Sequence, residues 1–66
     1  MKIVLNGIEH DCPVDLTVEQ LLAQHGFAGR KIAVEINREI LPKSQHANHM
    51  LQANDRVEIV HAIGGG

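Results

Sequence analysis

One stretch limits the fold of this chain more than any other. "DLTVEQLLAQHGF", residues 15–27, is the one strongly signalled amphipathic helix among 66 residues, and the sequence on either side reads as strand and turn. Thr17 is placed to cap the helix, with Gln20 at N3 completing a capping box. Leu16 at N′ and Leu21 at N4 form a hydrophobic staple. Val18, Leu21, Leu22 and His25 fall on one side at helical spacing. Gly26 follows as the C′ residue, which takes a left-handed conformation without a Cβ penalty. A helix of about two turns cannot bury its apolar stripe alone, so it requires a sheet to pack against.

The flanking segments supply that sheet. Lys2 to Leu5 and Ile8 to Cys12 are short apolar runs separated by Asn6-Gly7, the dipeptide that best tolerates positive φ at both centres of a type I′ turn. They form a hairpin, which Pro13 ends by removing a ladder donor. "KIAVEIN" alternates Ile32, Val34 and Ile36 against Lys31, Ala33 and Glu35, the pattern of a half-buried strand. A turn at Asn37 and Arg38 leads into a short strand, "REILP", closed by Pro42. Ser44 is a cap for a brief helical turn over "QHANHM". Asn54 and Asp55 make a turn before a last strand from Arg56 to about Ile63. The order of hairpin, helix, strand, short strand, turn and strand specifies an α+β fold of the β-grasp type: a mixed sheet of four to five strands with one main helix across one face. The last strand is expected in the centre beside the first, because so apolar a segment makes a poor edge. One domain is expected over residues 1–63, with residues 64–66 as a flexible glycine tail.

Size and charge narrow the function. A chain this short has room for one economical core and little for a large ligand cavity. Its formal charge of -2 is spread without blocks of one sign, and Phe27 is the single aromatic residue, so neither an electrostatic nor a stacking case for a nucleic-acid partner arises. The start lacks the apolar segment of about 7–15 residues found in a signal peptide. No run approaches the roughly 18 apolar residues of a membrane span. A single cysteine, Cys12, excludes an internal disulfide and fits a reducing compartment, so a cytoplasmic location is expected.

Catalytic machinery is missing. "IGGG" has no helix after it to receive a phosphate, no phosphate loop occurs elsewhere, and no nucleophile stands beside a recognisable base. His46 and His49 are three apart, and His10, His25 and His61 are scattered, which falls short of the three or four converging ligands a metal requires. They read as surface or locally hydrogen-bonded histidines, and neither a cofactor nor a metal is expected. Cys12 beside Pro13 reads as a small buried hydrophobe. Its acidic neighbour, Asp11, is the wrong setting for a reactive thiolate.

The remaining feature is the end, "VHAIGGG". Three glycines add no stability when ordered, since each loses the most backbone entropy. At about 3.3 Å per extended residue, Gly64 to Gly66 can carry a terminal carboxylate about 10 Å from the fold, with no Cβ to obstruct a narrow channel. Joined to AMP, a carboxylate becomes open to attack by sulfur, and capture as a thiocarboxylate stores that sulfur for delivery inside another protein. The chain then reads as a substrate and carrier whose chemistry belongs to its partners.

"LNG", "LTVEQLL", "AVEINREILPKS" and "NDRVEIVHAIGGG" together resemble the sulfur carrier proteins of thiamine biosynthesis, the ThiS family of the ubiquitin-like β-grasp superfamily, over essentially the whole chain. The resemblance implies that the Gly66 carboxylate is adenylated by a ThiF-like enzyme and receives sulfur that originates from a cysteine desulfurase. A ThiG-like thiazole synthase would then use the thiocarboxylate. Gly65 and Gly66 match the family's Gly-Gly pair, and Gly64 is a compatible extra glycine. Where the family often has Gly-Asp before the last strand, this chain has Asn54-Asp55, and Asn also tolerates left-handed geometry. Composition leaves open a molybdopterin-synthase carrier, a ubiquitin-like protein modifier and a structural adaptor with an incidental tail.

Overall fold

A computed structural model describes residues 1–61. It contains β1 (Lys2–Leu5), β2 (Ile8–Asp11), α1 (Val18–Gln24), β3 (Ile32–Ile36), β4 (Glu39–Leu41), a 3₁₀ turn (Lys43–Gln45) and β5 (Arg56–His61). The five strands form one sheet in the order β2-β1-β5-β3-β4. β5 pairs parallel to β1 and antiparallel to β3, so the last strand is central and lies beside the first, as its apolar character requires.

Local chemistry sets each element. Asn6 and Gly7 hold φ of 48° and 83°, and Leu5 faces Ile8, which is the two-residue hairpin that Asn-Gly favours. The helix start leaves no amide donor of its first turn unpaired. Gln20 N–H donates to the Thr17 hydroxyl at 3.2 Å, and Thr17 N–H donates in return to Gln20 Oε1 at 2.9 Å. Val18 and Glu19 N–H donate to the carbonyls of His49 and His46, both at 3.0 Å. At the other end Phe27 N–H reaches Leu22 O at 2.8 Å and Gly26 N–H reaches Ala23 O at 3.3 Å, with Gly26 at φ 79°, forming a Schellman closure.

Val18, Leu21 and Leu22 from α1 join Ile3, Leu5, Val34, Ile36, Val57 and Ile59 from the sheet in a single buried cluster. The helix therefore covers one face of the sheet, completing the expected β-grasp arrangement. Leu16, Leu41 and Leu51 close the cluster's margins.

Two local expectations need correction. His25 is exposed rather than part of the apolar stripe, because the helix stops at Gln24 and His25 has already turned to φ -104° and ψ 12°. Ser44 caps nothing. Pro42, with φ -58°, starts a single 3₁₀ turn that contains Ser44, and the carbonyls of His46 and His49 that would continue a helix are instead spent on the start of α1.

Candidate functional site

The candidate site is built around β5, the strand that leads to the glycines. Its inward side chains, Val57 and Ile59, are buried, whereas Arg56, Glu58 and Val60 point outward. At its far end His61 lies opposite Ile32 of β3, and the His61 ring stands 6.1 Å from Phe27. The last described residue of β5 thus lies beside the loop that follows α1. The expected modified end, Gly66, and the threading residues Gly64 and Gly65 lie outside the described residues, as do Ala62 and Ile63 and with them the expected boundary at residue 63.

The sheet face opposite the helix is uncovered among the described residues. Register places Ala33, Val60 and Ile40 on this face together with Glu35 and Glu58, and Val60 and Ile40 are 50% and 70% exposed. Glu35 and Glu58 are direct cross-strand neighbours. Among the described residues the one salt bridge is Lys2 to Glu9 at 3.7 Å, so no cation neutralises the Glu35 and Glu58 pair. Like charges opposed across a sheet destabilise it. The strand that precedes the glycines in sequence therefore also carries an apolar and acidic surface that folding alone does not favour. The alternation in the sequence puts each glutamate on its strand's polar side, but only the register makes them partners.

On the helix side, the end of β5 adjoins an open hollow of about 290 Å³. Leu22, Phe27 and Ile32 give it an apolar floor, and Glu19, Arg30 and Lys43 contribute charge.

The other candidates are accounted for by packing. His46 is buried, with Nε2 3.2 Å from the Leu41 carbonyl, a locally hydrogen-bonded histidine of the kind expected. His10 and His25 pack edge to face with centroids 5.2 Å apart. Among the described residues no three His, Cys, Asp or Glu side chains converge as a metal site would require. Cys12 is a half-buried free thiol packed against the core. Asn54 has φ 71°, so it does adopt the left-handed geometry a glycine often supplies there. Asp55 is buried behind it, with Oδ2 accepting from Gln52 N–H at 2.8 Å and Oδ1 from the Asn37 amide at 3.0 Å.

Comparison with known proteins supplies the remaining constraint. The ThiS family model matches residues 3–66. The chain is 48% identical, over its full length, to a thiazole synthase of Paramagnetospirillum magneticum, of which it spans only 20%. It is 33% identical to the sulfur carrier protein ThiS of Escherichia coli, with both chains covered completely. The crystal structure of ThiS from Geobacter metallireducens superposes with a TM-score of 0.87 at 28% identity, again over the whole of both chains. A family match running from β1 through the last glycine, on a shared β-grasp architecture, places this chain in the ThiS family of sulfur carriers in thiamine biosynthesis.

Proposed function

We propose that this chain is a protein cosubstrate whose Gly66 carboxylate carries sulfur for thiazole formation. The observation that carries the reading is the family match, which includes all three glycines. A ThiF-like enzyme would join the carboxylate to AMP from ATP, releasing pyrophosphate. A persulfide, supplied from a cysteine desulfurase directly or through a sulfur-transfer protein, would then displace AMP to give an acyl disulfide, and a second thiol would cleave it, itself becoming oxidised to a disulfide and leaving a thiocarboxylate on Gly66. Gly64 and Gly65 offer no Cβ to the channel that must enclose the end. On this reading the unit over residues 1–63 would serve as the handle and residues 64–66 as the reacting end, in the cytoplasm.

Thiazole synthase is the acceptor this reading favours. In the P. magneticum relative, a segment matching this whole chain belongs to a protein that bears that name. We place the contact with partners on the outer sheet face, where Val60 and Ile40 give apolar area and the unneutralised Glu35 and Glu58 select a surface with a cationic side chain.

Removal of Gly66 tests this directly. Pyrophosphate exchange into ATP, driven by a ThiF-like enzyme, is expected to vanish for the truncated chain while its thermal unfolding is unchanged. Exchange at the full-length rate would defeat the proposal.

A further inference from the structure

β5 is held by the side chains of two turn asparagines as well as by its neighbouring strands. Asn6 and Asn37 each occupy the first position of a two-residue hairpin turn, with φ of 48° and 51°. Each directs its Oδ1 onto a backbone N–H of β5. Asn37 takes Arg56 N–H at 2.9 Å, at the strand's beginning, and Asn6 takes Ile59 N–H at 2.8 Å, three residues further on.

The second of these bonds fills a gap in the ladder. Along the β1 side of β5, Val4 N–H donates to Asp55 O and Asn6 N–H to Val57 O, both at 2.9 Å. After Asn6 the chain turns at Gly7 and runs back as β2, away from β5. No further β1 backbone is in place for Ile59 N–H, a part-buried donor that would be costly to leave unmade. The Asn6 amide oxygen supplies one more rung. Beyond it, Val60 and His61 are paired on the β3 side, with Ala33 and Ile32.

We propose that Asn6 is a positioning residue for the glycine end. By holding Ile59 N–H, it keeps the end of β5, Ile59 to His61, aligned with β3, and so fixes the point from which residues 62–66 continue. The role rests on the reading that Gly66 is the reacting end, and Asn6 itself touches no reacting atom. The Asn of Asn6-Gly7 therefore has two tasks. Positive φ can be met by glycine, whereas the acceptor cannot.

Asn6→Gly separates the two, since it keeps the turn and removes the oxygen, and Asn6→Asp restores an acceptor in a residue that also tolerates this backbone. Asn37→Gly removes the matching rung at the far end of β5, together with its bond to Asp55, and serves as the structural control. Amide exchange at Ile59, read on the chain alone, should accelerate in Asn6→Gly and remain protected in Asn6→Asp and Asn37→Gly. With a ThiF-like enzyme, below the unfolding temperature of every variant, Asn6→Gly should raise KM for this chain about 3- to 10-fold at unchanged kcat, the range of one lost hydrogen bond. Asn6→Asp should recover the wild-type KM, and Asn37→Gly should retain it. Accelerated Ile59 exchange with an unchanged KM would overturn the positioning role, as would an equal KM rise in Asn37→Gly. Failure of the underlying reading is told apart by the Gly66 deletion, which would then be activated like the full chain.

Discussion

Neutralising one glutamate on the exposed face should make this protein more stable. Glu58 and Glu35 are directly opposed on β5 and β3, without a cation within salt-bridge distance of either among the described residues. Two unit charges about 6 Å apart in the dielectric of water repel by about 0.7 kcal/mol. That lies within the roughly 0.2–1 kcal/mol found for cross-strand pairs. Glu58→Gln keeps the shape and removes the repulsion. In a domain of this size about 0.7 kcal/mol corresponds to a rise of about 3–6 °C in Tm. The assay is a double-mutant cycle of Glu35→Gln, Glu58→Gln and the double variant, followed by urea unfolding. Each single change should gain about the same amount and the double little more, because one repulsion is removed only once. In about 1 M salt, with a screening length near 3 Å, most of the gain should disappear. A Tm lowered by Glu58→Gln, or no coupling at low salt, would refute the reasoning that this pair is a cost of folding.

Further consequences are as specific. Leu21 is 1% exposed in the middle of the helix face, so Leu21→Ala should cost about 2–5 kcal/mol. Set against a total stability of about 3–10 kcal/mol for such a chain, urea titration should find it close to unfolded. Arg38 holds φ 71° in the β3–β4 turn, and Arg38→Gly should raise stability by about 1 kcal/mol in the same titration, since glycine has no Cβ to strain there. Gly65→Val should slow activation by a ThiF-like enzyme with no change in Tm, and equal turnover would show that the glycine is not needed for passage.

Most of the architecture is legible in short-range chemistry. The capping box, the Asn-Gly turn and the alternation in "KIAVEIN" each state a local geometry, and together they leave few topologies that bury one helix against one sheet. What escapes such a reading is pairing between distant segments. Asn6 declares its turn, yet its bond to Ile59 joins residues 53 apart, and Asn37 reaches Asp55 and Arg56 across 18 and 19 residues. His46 and His49 suggest side-chain chemistry by their spacing, whereas in the fold their backbone carbonyls cap α1. The opposition of Glu35 and Glu58 depends on register alone. The glycine end lies outside the described residues, and its proposed role rests on another kind of reading: an entropically costly motif points to use by a partner.

The central claim is best tested by intact mass of the full chain after incubation with ATP, a ThiF-like enzyme and a sulfur source. The account predicts a gain equal to sulfur replacing one oxygen, located by fragmentation at Gly66. An unchanged mass, in a reaction where a known carrier is converted, would contradict it.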